Sequence, residues 1–341
     1  MSAIITQPVE DQKQWDEFVS KHPEANFLQS WQWGEFHAAI SHQIVRLGFW
    51  QGDKLIGVCL GVVEPARRGR YLSIAGGPVL DWHHHALVDA WSKAVREVAI
   101  DHQCVFVRVR PQLLSDEFSK ALFEQMGFRG APMHLSAELT HQLDLRKTED
   151  ELLAGMRKQT RYEIRKAGKL GIKLKESTSQ KDLRGFYDLQ IETAKRQGFV
   201  PFSYDFLYEQ FKTFARSNMV KLYSAYYDDK LLAQAFVIFY GAEAAYHYGA
   251  STDLGRKYPG AYAIQWQAIC EAKQRGIERY NFWGVAPHDE PEHRFAGVSL
   301  FKRGFGGQDV EYLHAQDLVV NKTRYAINLA VEKTRKHLRR V

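Results

Sequence analysis

The chain has 341 residues, 45% hydrophobic and 25% charged, with a formal net charge of +6. These fractions fit a globular protein of about two domains and exclude disordered, collagen-like and membrane-spanning classes. No apolar run reaches the roughly 18 residues of a membrane span.

The first residues, MSAIITQPVEDQKQWDEF, lack the basic start and apolar block of a secretory signal, so a cytoplasmic protein is expected. Cys59, Cys104 and Cys270 are far apart and in apolar surroundings. They read as buried free thiols, not as a disulfide frame or zinc site.

In chain order, Val45–Val63 (VRLGFWQGDKLIGVCLGVV) reads as a hairpin turning at Asp53-Lys54. A strand at Tyr71–Val79, a helix near His84–Asp101 and an apolar strand at Cys104–Arg110 follow. Next comes Leu122-Phe123 with Gly127-Phe128, and HQLDLRK closes the segment near Leu143–Thr148. The same order then recurs. Val220–Phe239 (VKLYSAYYDDKLLAQAFVIF) is the second hairpin, followed by Ala245–Ser251, a helix near Pro259–Arg275, Tyr280–Val285, and Leu300-Phe301 with Gly304-Phe305. The offset is 175 residues at Val45/Val220 and 178 at Leu122/Leu300.

Such a repeat predicts two copies of one supersecondary unit. The order resembles that of GNAT acyltransferases, so the expected fold class is α/β (α+β), with two tandem mixed sheets flanked by helices. The first domain is expected at 1–145 plus 318–341 and the second at 146–317. Ile327, Val331, Thr334 and Leu338 mark an amphipathic C-terminal helix that should return to the first domain.

Between the copies, Arg157–Lys175 (RKQTRYEIRKAGKLGIKLK) holds eight Lys/Arg against one Glu. It reads either as a solvated helix face or as a surface for an anionic partner. His83-His84-His85 are consecutive and cannot share one metal, and Pro287–His293 is a poor cation loop, so no metal site is expected. No local Ser-His-Asp pattern or nucleophilic cysteine stands out.

The stretch Gly297–Gly307 (GVSLFKRGFGG), the segment Asn26–Phe36 (NFLQSWQWGEF) and Tyr246–Gly249 together resemble the FemABX family, in a short form without the coiled-coil arm. The resemblance implies a non-ribosomal peptidyltransferase. Such an enzyme moves an amino acid from aminoacyl-tRNA to an amine of a peptidoglycan precursor, with no cofactor. It places Phe301 and Lys302 at the reaction centre. The local sequence reads Lys302 as lying at the start of a strand, held by flanking Phe and Gly, which suits a cation that stabilises developing negative charge. Tyr248, Trp33 and His37 are expected to line the precursor site. His37 stands where a family example carries lysine, and Pro201 or Phe202 where some members carry arginine, so the anion is expected to fall to Arg256, Lys257 or Arg67–Arg70.

Arg157, Arg161, Arg165 and Lys169, each four residues apart, are the candidate tRNA contacts. The rival enzyme is CoA-dependent, but Lys257-x-x-Gly260-x-Tyr262 is a degenerate pyrophosphate loop. A catalytically inactive tRNA- or envelope-binding module is the non-enzyme alternative. A monomer is expected, and the basic C-terminal end leaves peripheral contact with the inner membrane face open.

Overall fold

The computed structural model describes residues 3–198 and 200–339. They form two compact units: residues up to Glu138 plus those from Glu311 onward, and Leu139–Val310.

The first unit contains β1 (Ile4–Pro8), α1 (Gln12–Ser20), α2 (Trp31–Ala39), β2 (Gln43–Gln51), β3 (Lys54–Glu64), β4 (Arg70–Ala75) and β5 (Val79–Leu80). It continues with α3 (His85–Asp101), β6 (Cys104–Arg110), α4 (Glu117–Gln125) and β7 (Arg129–Gly130). The second unit runs through β8 (Leu139–Asp144), α5 (Glu149–Gly155), α6 (Lys158–Lys169), β9 (Lys173–Ser177), α7 (Leu183–Gln197), α8 (Tyr204–Arg216) and β10 (Val220–Tyr227). Then come β11 (Lys230–Tyr240), β12 (Glu243–Ser251), α9 (Gly260–Gln274), β13 (Arg279–Gly284), α10 (Ala296–Arg303) and β14 (Gln308–Glu311). Finally β15 (Gln316–Val319) and α11 (Lys322–Arg339) return to the first unit.

The repeat is visible in the pairing. Both hairpins carry a β-bulge at matching points, between Phe49 and Trp50 in the first copy and between Ala225 and Tyr226 in the second. Each copy has one parallel pair, β4 with β6 and β12 with β13, within an otherwise antiparallel sheet. The first core gathers Phe49, Trp91, Phe123 and Phe128. The second gathers Tyr223, Val237, Tyr280, Phe282 and Phe305.

Four expectations need correction. The strand in HQLDLRK, expected to close the first domain, pairs antiparallel with β13 in the second sheet. Conversely β15, at the expected end of the second domain, lies in the first sheet between β6 and β7. Burial explains the second assignment: Asp317 of β15 meets buried Arg108 of β6 in a bidentate ion pair at 2.8 Å. The units therefore divide at Glu138/Leu139 and Val310/Glu311.

The C-terminal helix does pack on the first unit, but by another face. Tyr325 packs with Val105 and Phe106, and Asn328 accepts from Arg68, whereas Ile327 is exposed.

Finally, Lys302 lies in the last turn of a helix, α10, and not at a strand start. Gly304 follows in right-handed conformation; it is required because a Cβ would collide with Thr160 and Arg157.

Candidate active site

The second unit departs from the first where its two parallel strands meet. In the first unit β4 stays laddered to β6 from Arg70↔Cys104 to Ala75↔Arg110. In the second, β12 pairs with β13 only through Glu243–Ala245 and Arg279–Asn281, although β12 runs on to Ser251 and β13 to Gly284. Parallel strands that part in this way open a slot beyond their paired ends, the kind of crevice that α/β sheets use for ligands.

Two local devices part the strands. On β12, Phe236 faces Tyr248 while Val237 faces Tyr246, so His247 is the extra residue of a bulge. On β13, Trp283 adopts a left-handed backbone with φ 65°. That conformation disfavours a bulky residue. The buried side chain of Asn281 holds it: Oδ1 accepts from the Trp283 N–H at 2.8 Å, and Nδ2 donates to Glu243 at 3.0 Å.

Helix α10 faces the loop that leaves β13. An ordinary surface helix buries its apolar stripe. This one buries Ser299 and Lys302 while Leu300 is 59% exposed. Ser299 Oγ accepts from the Ala286 N–H at 2.7 Å. Arg303 donates to the Ala286 carbonyl at 2.6 Å and pairs with Asp309. Lys302 Nζ donates to the Gly284 carbonyl at 2.6 Å and lies 5.8 Å from the centre of the Tyr246 ring. Lys302 is only 8% exposed, and burial without a carboxylate pushes its pKa down to about 7. An ammonium poised near neutrality can stabilise an oxyanion when protonated or take up a proton when neutral.

The β12 side of the slot is aromatic. Tyr246 is pushed up to about 12 by burial, and its hydroxyl occupies the place that a Cβ on residue 249 would need, which explains Gly249. His247 is pushed down to about 3 by burial, so it is neutral; its Nε2 meets Gln210 at 3.1 Å and its ring meets Trp283 edge-on at 5.4 Å. Tyr248 packs against Phe236 and Phe202, ring centres 5.5 and 5.3 Å away. Phe202, one of the two positions at which the family resemblance sets an arginine, thus packs a tilted ring against Tyr248.

The other candidates fall elsewhere. Phe301 packs on Tyr262 and Phe305 of the second core, at 4.9 and 5.3 Å. Leu300 has no buried counterpart role, whereas its repeat partner Leu122 is buried. Arg256 and Lys257 are exposed in the turn before α9. The backbone there lies directly on β11, with Gly255 and Gly260 both against Leu232. Trp33 and His37 belong to the first unit. His37 is buried against Trp33, Phe36 and His42, and burial pushes it down to about 3, so it is uncharged at neutral pH and cannot act there as a phosphate-binding cation.

The four spaced cations do not share one role. Arg157 donates to the Leu300 carbonyl at 2.8 Å, and Arg161 donates to the carbonyls of Leu153, Ala154 and Met156 at the end of α5. Arg165 and Lys169 are exposed, and so are Lys158 and Tyr162. At 100° per residue these four fall within about 60° of arc.

His247, Trp283 and Asn281 were missed by sequence reasoning. The one signal available was that AYHYGAS and YNFWGV carry polar and bulky groups where buried strands are usually aliphatic.

Two tandem GNAT-like units, one with an open parallel pair and a buried lysine beside it, define an acyltransferase. The sequence model of the FemAB family matches residues 11–125, 121–231 and 217–333, and the chain belongs to that family. Aminoacyltransferase FemA of Staphylococcus aureus (strain MRSA252) is 21% identical over 409 aligned positions, covering 95% of this chain and 97% of the relative. Those positions outnumber the 341 residues here, so the relative carries inserted segments. The crystal structure of FemX superposes with a TM-score of 0.86 at 17% identity, over 95% of this chain and 99% of that one. A tandem GNAT protein from the clavulanic acid biosynthesis pathway gives 0.57 at 12% identity, over 93% and 98%. The enzyme class is aminoacyltransferase. No helix among the described residues is long and apolar enough to cross a membrane.

Proposed function

We propose that the protein transfers an amino acid from aminoacyl-tRNA to an amine of a peptidoglycan precursor stem peptide, in the cytoplasm, as a monomer and without a cofactor. The acceptor amine attacks the carbonyl carbon of the aminoacyl ester. A C–N bond forms, the C–O bond to the ribose breaks, and the amine's proton passes to the ribose oxygen. Lys302 stabilises the negative charge that develops on the carbonyl and leaving oxygens.

The observation that carries this reading is the buried Lys302 nitrogen beside the parted strands of the second unit. Its repeat partner is Glu124, so the scaffold does not require a cation. The relatives named FemA support the aminoacyl group as cargo. The close packing of Gly255 and Gly260 on Leu232 disfavours a pyrophosphate cradle, and with it CoA.

For the tRNA, the supported surface is Lys158, Tyr162, Arg165 and Lys169 of α6. Phosphate contacts are salt-dependent, with a slope of about 0.7–0.9 per neutralised phosphate on a log–log plot. Replacing Lys158, Arg165 and Lys169 together by glutamine should reduce the slope of tRNA binding by about 2–3. An unchanged slope would place the tRNA elsewhere.

The decisive experiment is incubation with charged total tRNA and purified nucleotide- or lipid-linked precursors, read by mass. A gain of one or more aminoacyl residues is expected, and it should vanish in Lys302→Ala. Modification by acetyl-CoA with none from charged tRNA would replace this reading with a CoA-dependent one.

A further inference from the structure

Three ligand-bearing side chains of the first unit meet at one point. His134 Nδ1 lies 2.6 Å from Glu138 Oε2, and His314 Nδ1 lies 2.8 Å from the same oxygen. His314 Nε2 is 2.7 Å from the Ala131 carbonyl. A carbonyl only accepts, so Nε2 must carry the hydrogen. In the neutral ring this leaves Nδ1 bare, facing a carboxylate oxygen that also only accepts. The contact therefore calls for a cation between them, either a second proton on the imidazole or a metal ion.

The surroundings are those of metal ligands. A ligating histidine typically donates its other N–H to a backbone carbonyl, and a ligating carboxylate is itself hydrogen-bonded. Here His314 donates to Ala131, and Glu138 Oε1 accepts from the Ala315 N–H at 2.9 Å. Both side chains are thereby oriented so that Nδ1 and Oε2 converge. The exposed His134 closes the set from the solvent side.

We propose that His134 Nδ1, Glu138 Oε2 and His314 Nδ1 bind one Zn²⁺ ion, with a fourth position open to water. Two imidazoles and one carboxylate suit Zn²⁺ better than Mg²⁺ or Ca²⁺, which prefer all-oxygen sets. Zinc bonds of about 2.0–2.2 Å place tetrahedral ligands about 3.3 Å apart, so loading needs an opening of about 0.5 Å around Glu138 Oε2. The ion would fasten the non-repetitive stretch 131–138, by which the chain leaves the first unit, to the segment entering β15, by which it returns.

A second cluster, His37, His42 and Glu64, serves as the control. There the two facing Nδ1 atoms, 3.1 Å apart, satisfy each other with one proton.

The test uses the full chain without added histidines, stripped with chelator and titrated with ZnCl₂ by calorimetry. One equivalent should bind and raise the melting temperature, while MgCl₂ does neither. His134→Ala, at an exposed position, and Glu138→Gln should each weaken binding by more than about tenfold, with the metal-free melting temperature of His134→Ala unchanged. Glu64→Gln should bind as the parent does. Absence of zinc binding, parent-like affinity in both site variants, or loss only in Glu64→Gln would overturn the proposal.

Discussion

Lys302 costs stability where it stands. Its pKa falls from 10.5 in the unfolded chain to about 7 in the fold. The folded state therefore binds fewer protons between those values. The cost is fully present below about pH 7 and fades as pH rises toward 10.5. At about 1.4 kcal/mol per pH unit, it is on the order of 4 kcal/mol at neutrality. Lys302→Met keeps most of the side chain's bulk and removes the charge. It should raise the unfolding free energy at pH 7 by a few kcal/mol while transfer is lost, and the stability gap should close above pH 10. Urea titrations at the two pH values measure both; a methionine variant no more stable than its parent at pH 7 would contradict the burial. If the protonated form acts, the ratio of parent to Lys302→Arg transfer rates should fall as pH rises through about 7, since arginine stays charged. A ratio that climbs would make Lys302 a proton acceptor instead.

At the scale of elements, the kink in β13 decides where the slot opens. Asn281 is buried and serves two groups, the Trp283 N–H and Glu243. Asn281→Ala leaves that N–H without its acceptor and removes a donor from a buried carboxylate. The expected loss is about 2–4 kcal/mol. Because Gly284, the partner of Lys302, is the residue after Trp283, transfer should fall more than stability alone explains when assayed well below the melting temperature. An unchanged kcat in a folded Asn281→Ala protein would show that the kink does not position Lys302. The hairpins and the cation at Lys302 were legible in the sequence, because turn residues, apolar runs and one misplaced charge are local signals. The bulge at His247 and the left-handed Trp283 were not, because each exists only through a partner on another strand. Arg157 and Arg161 misled for a related reason: spacing shows that they share a helix side but not that carbonyls of α5 and α10 are already there.

At the scale of the whole chain, the repeat does not translate into two separable halves. β15 lies inside the first sheet, between β6 and β7, and its Asp317 is fully buried. Arg108 donates to both of its oxygens and also to Glu332, and the Tyr325 hydroxyl donates to it at 2.9 Å. A buried ion pair contributes little over an apolar pair of the same shape, but removing one partner strands a charge. Asp317→Ala should therefore cost about 3–5 kcal/mol. Arg108→Met with Asp317→Leu should recover much of that, a non-additivity that thermal unfolding of the single and double variants measures directly. A fragment of residues 1–145 lacks β15 altogether. It presents the buried strand Cys104–Arg110 as an open edge with Arg108 unpaired. Exposed apolar edges of this kind pair with other chains, so that fragment should aggregate, where a true independent domain would run as a monomer on gel filtration.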